Sequence, residues 1–214
     1  MKMFVFRRTK GESGRDPIGA CPMNFGVEKV KKRIKDTKRI HIKYGDEVQY
    51  ILNELDKGRL RQGWGCSNPD LDLNLPDNVW AENFAVACHK YWGESLSEDI
   101  CKYAMGRKII LDHMLNMKKG DIVFVPKTPD EKCFIVTTVK NEYKFDGDTK
   151  IRDDDFRNDF RHLIGVEKTK PFQYSRSTLE PGIFGAPFLH AIDPINPDYG
   201  AYASFKHFIS RHYL

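Results

Sequence analysis

Apolar and polar residues alternate over 39–45, where Ile40, Ile42 and Tyr44 stand against Arg39, His41 and Lys43, and this period of two predicts a half-buried strand. A short aromatic run at 3–8, MFVFRR, predicts another strand, and the turn-rich GESGRDPIG follows it. Between them, Phe25, Val27, Val30 and Ile34 in the basic stretch 23–38 fit an amphipathic helix loosely. Asp46 is placed to cap a helix over 46–57, with Val48, Ile51, Leu52 and Leu55 on one face and Gly58 as its stop. Helical patterns return at 81–92, at 97–105 behind Ser97, and at 107–117. The period then changes to two. KKGDIVFVPKTPDEKCFIVTTVKNEYKFD reads as strand, hairpin loop and longer strand, rich in Val, Ile, Phe and Thr. An acidic loop, DGDTKIRDDD, leads to FRHLIGVEKTK, a further strand. Seven Pro and Gly residues between Pro171 and Pro197 predict a segment that wraps over the body, and a last helix over 203–213 closes the chain.

Strands and helices in this order define an α+β protein. With 214 residues, no internal repeat and no Gly/Ser-rich linker, the expected organisation is one domain over 1–214. It carries a basic amino-terminal extension, a helical insertion at about 81–117 and the wrapping carboxy-terminal segment. No apolar run approaches the roughly 20 residues of a spanning helix, and the amino terminus lacks the apolar core and cleavage site of a signal peptide. The five cysteines are scattered without paired spacings, so the expectation is reduced thiols in a cytoplasmic protein that uses no membrane.

Charge changes this picture. The net +5 is unevenly spread: residues 1–45 hold 13 Lys and Arg against 4 Asp and Glu, a net +9, and the remainder has 22 against 26, a net −4. Clustered cations release phosphate counterions on binding, so Lys31, Lys32, Arg33, Lys35, Lys38 and Arg39 are candidate contacts to a nucleic-acid backbone.

Catalytic motifs are scarce. HExxH, CxxCH, GxxxxGK[ST], GxGxxG and GxSxG are all absent, which disfavours zinc hydrolases, nucleotide-driven motors, dehydrogenases and serine hydrolases. No cofactor is expected. Asp146, Asp148, Asp153, Asp154 and Asp155 are the best candidates for a divalent cation, but they lack the EF-hand ligand series. A solvated acidic turn is the simpler explanation.

Binding chemistry is better represented. In RLRQGWG, glycines flank Trp64 and allow a sharp turn that leaves the indole face free, while Arg61 and Gln62 offer donors to phosphate or base edges. Such a set suits stacking of an unpaired base, worth about 1–3 kcal/mol. The competing explanation is a tryptophan that plugs the loop onto the core. Trp92, behind Phe84, Val86, Cys88 and Tyr91, reads as core on the same argument, and Arg161 and His162 at a strand start read as surface groups or phosphate contacts.

Gly120-Asp121 entering a strand, Val139 and Tyr143 on the next, and His162 opening a strand that runs through Val166 together resemble the strand core of the PUA-like superfamily, which includes the PUA, ASCH, EVE and YTH domains. The resemblance spans 118–168. It implies a bent β-barrel with flanking helices, the region 81–117 being an insertion, and it implies nucleic acid as the partner. EVE and YTH domains take a modified base into an aromatic pocket, and EVE-like domains occur in restriction systems. Carried onto this chain, Trp64 becomes the stacking candidate, with Trp92, Tyr143 and Phe145 as second walls.

Three functions follow. The leading one is a non-enzymatic reader of a flipped or single-stranded, modified or unmodified base in DNA or RNA, serving restriction or defence. The alternative is an ASCH-like metal-dependent nuclease or defence effector using Asp153, Asp154, Asp155 or His162. The third makes the Pro-rich carboxy-terminal segment a strip for docking a protein partner.

Overall fold

The structure, a computed structural model, describes residues 1–6, 46–93, 99–126, 128, 133–152, 155–168, 172–173, 192–195, 197–198 and 202–213. The basic residues Lys31, Lys32, Arg33, Lys35, Lys38 and Arg39, the strand expected over 39–45, Ser97, and Asp153 and Asp154 lie outside these, as does most of the Pro-rich segment.

The strands are β1 (Met3–Phe6), β2 (Arg59–Gln62), β3 (Ile122–Pro126), β4 (Cys133–Phe145), β5 (His162–Val166), β6 (Phe172–Gln173) and β7 (Ile192–Pro194). The helices are α1 (Asp46–Asp56), α2 (Asp77–Ala87), α3 (Ile100–Asp112) and α4 (Tyr202–His212). Strand order is β2-β5-β4-β3-β1-β7, with β6 on β4. The run β2-β5-β4-β3 is antiparallel, whereas β1 lies parallel to β3 with Met3 opposite Ile122. β4 has 13 residues, and its first half pairs β3 while its second half pairs β5, with register shifts between Val139 and Tyr143. Such bulges bend a strand and raise its twist. Here they curl the four strands into a half-barrel, so the α+β class with a partial barrel is observed.

The continuous apolar runs IVFVP and CFIV reflect strands covered on both faces. Val123, Val125, Ile135 and Val139 join the core beneath α1–α3, and Ile122, Phe124, Phe134 and Val136 point to α4, meeting Phe205, Phe208 and Ile209. Phe124 and Phe205 meet edge to face at 4.6 Å. Gly58 ends α1 in the left-handed region at φ +73, as its position predicts.

The helical region differs from expectation in register. α2 starts at Asp77 and runs into a π-helical turn (Cys88–Trp92), and the two helices expected at 97–105 and 107–117 are one continuous α3 through Gly106. Burial of Ala104, Met105, Ile110 and Leu111 outweighs the local helix-weakening effect of that glycine. Cys66, Cys88 and Cys133 are buried and form no disulfide, but Cys101 is disulfide-bonded, which corrects the expectation of five reduced thiols. Among the described residues no helix is long and apolar enough to cross a membrane.

Candidate functional site

Two polar clusters stand at the end of the sheet where β2, β4 and β5 meet. Both are built from the residues that the sequence singles out, but they divide them differently.

The first cluster takes Arg61 out of contention for ligand. Its Nε donates to Glu54 Oε2 at 2.6 Å, one terminal nitrogen donates to Asp146 Oδ2 at 2.7 Å, and the other reaches the Phe160 carbonyl at 3.0 Å. At 5% exposure, with all three nitrogens engaged, Arg61 clamps α1, β2 and the 146 loop together and is not presented to a phosphate or base. Burial by itself raises the Glu54 carboxyl, but hydrogen bonds from Arg59, Arg61 and Lys57 outweigh it and hold the group below the usual glutamate value. Asp146 is likewise held low against its burial by Thr149 and Arg61.

Arg161 and His162 correct the expectation of a surface strand start, since both are 0% exposed. Arg161 donates to Asn158 Oδ1 at 2.7 and 3.0 Å and to the carbonyls of Asp146 and Thr149, each at 2.8 Å. A guanidinium can be buried because five donors find fixed acceptors. Burial still lowers its pKa.

Trp64 is the second correction. The flanking glycines do not free the indole: it is 3% exposed, and the Arg107 guanidinium of α3 covers one face at 4.4 Å from the ring centroid. The sharp turn is made by Trp64 itself at φ +64, while its N–H donates to Asp159 Oδ1 at 3.0 Å and the next N–H to the Asp159 carbonyl at 2.8 Å. Gly65 serves close approach, because a Cβ there would lie 2.8 Å from Arg161 Cβ and 3.1 Å from the Arg161 nitrogen. Gly65→Ala is therefore expected to cost about 1–3 kcal/mol by overpacking, read as a lower denaturant midpoint at unchanged slope.

The long loop after Trp64 is tied down throughout. Cys66 Sγ donates to the Pro69 carbonyl at 3.2 Å beside the cis Asn68-Pro69 bond, Asn83 reaches the Asp70 carbonyl at 2.6 Å, and the Trp80 indole N–H reaches the Leu71 carbonyl at 2.9 Å. Leu71 and Leu73 are buried anchors. Trp92 packs on Phe84 at 5.3 Å in the helical layer, so it belongs to the core and not to the pocket walls.

The second cluster gathers the remaining candidates around His162. Gln62 is its registered partner on β2, and Phe145 is its partner on β4, with ring centroids 5.5 Å apart. Tyr143 Oη lies 3.0 Å from His162 Nδ1, and His162 Nε2 lies 3.3 Å from the Trp64 carbonyl. The Leu73 N–H donates to Tyr143 Oη at 3.2 Å, with Asp72 Oδ1 at 3.4 Å. Burial pushes His162 down to about 4 and raises Tyr143, so the ring is neutral and the phenol protonated. Tyr143, Phe145 and Asp72 keep partial exposure. Gln62 is 1% exposed, and its Oε1 has no hydrogen-bond partner. A buried acceptor without a donor carries a desolvation cost that a ligand or water can relieve.

The structure thus joins Gln62, Tyr143 and Phe145 and separates them from Arg61, Trp64 and Trp92. Sequence reasoning missed His162 as the hub, because a histidine at a strand start carries no local sign of burial. Among the described residues no group of three or more His, Cys, Asp or Glu is placed to hold a metal ion. Asp155 is engaged by the Arg157 guanidinium at 2.5 and 2.9 Å, which holds its carboxyl low. Compared with protein-family models, curated proteins and solved structures, the chain matches none.

Proposed function

We propose that the protein is a non-enzymatic nucleic-acid reader built on a PUA-like barrel, taking a flipped or single-stranded base against Tyr143 and Phe145 at the rim of the curled strands. The observation that carries this reading is the convergence of two partly exposed aromatic rings and the buried, unpaired Gln62 acceptor on one side of β2, β4 and β5. Aromatic faces accept any base, whereas an amide in a dry setting discriminates among base edges, so stacking and selectivity fall to different residues. Arg61, Arg107, Arg161 and Trp64 hold the rim rigid from behind. The basic segment around Lys31, Lys32, Arg33, Lys35 and Arg39 supplies sequence-independent attraction to phosphate in this scheme.

The reading is tested by fluorescence anisotropy with single-stranded and mismatched duplex DNA and RNA, modified and unmodified, at about 50 mM salt. Phe145→Ala is expected to weaken the preferred oligonucleotide by about ten-fold, a typical stacking contribution, and Gln62→Leu to change the order of preference among bases. No binding to any of these nucleic acids by the wild-type protein overturns the proposal.

A further inference from the structure

Exposed charge is sorted by position in the described chain. On α1–α3 and their loops Asp46, Asp56, Asp70, Asp77 and Asp99 are exposed, and Lys57 and Lys102 there are tied to Glu54 and Asp99. At the start of β3 the sign reverses. Lys118 and Lys119 precede Gly120, and Lys2 joins them because its N–H donates to Asp121 Oδ1 at 2.6 Å and its carbonyl accepts from the Ile122 N–H at 2.9 Å. The Gly120 N–H bonds the Val139 carbonyl at 2.9 Å, which brings Lys140 alongside. Thr138, registered against Ile122, shares a 2.8 Å hydrogen bond with Tyr213, so the carboxy-terminal end of α4, which carries Arg211 and His212, is anchored at this corner. All six basic side chains are exposed. Glu142 is neutralised by Lys118 at 3.3 Å, the buried Asp121 carboxylate is taken up by the N–H groups of Lys2 and Lys118 at 2.6 and 3.0 Å, and Glu167 is followed by Lys168. Among the described residues Lys2, Lys119, Lys140 and Arg211 are in no ion pair. Arg211 and His212 also suit the negative end of the helix, but the three lysines have no such structural role.

We infer that this corner is a contact for the phosphodiester backbone of a nucleic acid, made by residues other than Lys31, Lys32, Arg33, Lys35, Lys38 and Arg39; the inference rests on the nucleic-acid-binding reading above. Unpaired cations converging from three strand and helix ends suit a partner carrying regularly spaced negative charge, and each phosphate contact should add about 0.7–0.9 to the salt slope of binding.

The experiment compares the full chain with a Lys119→Glu/Lys140→Glu/Arg211→Glu variant, titrating DNA and RNA oligonucleotides at several salt concentrations. The expected result is an affinity at least ten-fold lower at low salt, a salt slope reduced by about 2–3, and equal loss for every base sequence. An unchanged thermal midpoint checks the fold, and the corresponding triple glutamine variant should show a smaller loss in the same direction. If the wild-type protein binds oligonucleotides and both variants keep its affinity and slope, this inference fails while the base-reading proposal stands. Binding of polyglutamate as tight as that of nucleic acid overturns it too, because the corner then selects charge without regard to phosphate. Failure of the wild-type protein to bind any oligonucleotide removes the inference together with the reading beneath it.

Discussion

Arg61→Ala is expected to destabilise the protein by about 3–5 kcal/mol, the range seen when one partner of a buried ion pair is removed. The guanidinium neutralises Glu54 at 2.6 Å and Asp146 at 2.7 Å while capping the Phe160 carbonyl at 3.0 Å, so its loss strands charge on two elements at once. Glu54 keeps Arg59 and Lys57, at 2.7 and 3.1 Å, both of them partly in water. Among the described residues Asp146 keeps the Thr149 hydroxyl as its side-chain donor, with Arg161 acting through charge alone, and it is the costlier orphan. Arg61→Lys should recover little, since one ammonium cannot serve three acceptors that the planar guanidinium reaches in a fixed geometry. Urea denaturation measures the effect. A loss below about 1 kcal/mol in the alanine variant would mean that α1 and β2 are held by Ile51, Leu55 and Leu60 without the ion cluster. The same measurement tests the assignment of Arg61 to the scaffold, because a residue reserved for ligand phosphate would be removed at little cost to the free protein.

This division between scaffold and rim could be read from the sequence only in part. The alternation and apolar runs that mark β3, β4 and β5 are local properties of the chain, as are the amphipathic face and the glycine stop of α1, and these elements stand where the pattern puts them. The boundary of α2 and the fusion of two expected helices into α3 depend on tertiary burial, which no window of a dozen residues carries. Polar burial is the hardest to foresee. Arg161 resembles any surface cation until Asp146, Thr149 and Asn158 are brought to it, and those acceptors belong to a loop whose conformation the arginine itself helps to set. Trp64 was legible as an unusual residue between two glycines, but its partner Arg107 is on a helix far along the chain.

The rim residues were legible for a different reason. Tyr143 and Phe145 sit two apart on a strand, so a strand assignment alone puts them on one side. What it could not supply is their shared neighbour, since the pairing of Phe145 with His162 and of His162 with Gln62 requires the curl of β4 around β5. The bulges between Val139 and Tyr143 produce that curl from exposed positions, Lys140 and Asn141, which carry no apolar signal.

Stability should also fall steeply in mild acid, and His162 sets where. The Trp64 carbonyl can only accept, so Nε2 carries the proton, and Nδ1 of the neutral ring accepts from the Tyr143 hydroxyl. Burial lowers the imidazole from 6.5 to about 4, more than the Trp64 carbonyl and Asp72 offset. Between these values the unfolded chain binds a proton that the folded chain refuses, so stability is complete above pH 6.5 and declines as pH falls, with a total loss of about 3 kcal/mol by pH 4. Glu54 and Asp146 have folded pKa values below their ordinary 4.5 and 3.8, so their losses begin at lower pH, while Asp112, raised by burial, works in the opposite sense at the acidic end; the decline that sets in below 6.5 is that of His162. Denaturant midpoints should slope upward with pH between 4.5 and 6.5, and His162→Gln should remove most of that slope. In the wild-type protein the imidazole resonance, followed by NMR, should stay neutral down to unfolding; a midpoint near 6.5 in the folded state would refute the buried, neutral assignment. Because the ring stays neutral for as long as the chain is folded, the Tyr143 hydroxyl keeps donating to Nδ1 and Tyr143 keeps its place at the proposed base pocket down to the pH of unfolding. Base preference in the binding assay should therefore stay constant across the window from pH 6.5 downward and be lost together with the fold; a change of preference while the protein is still folded would refute the neutral assignment.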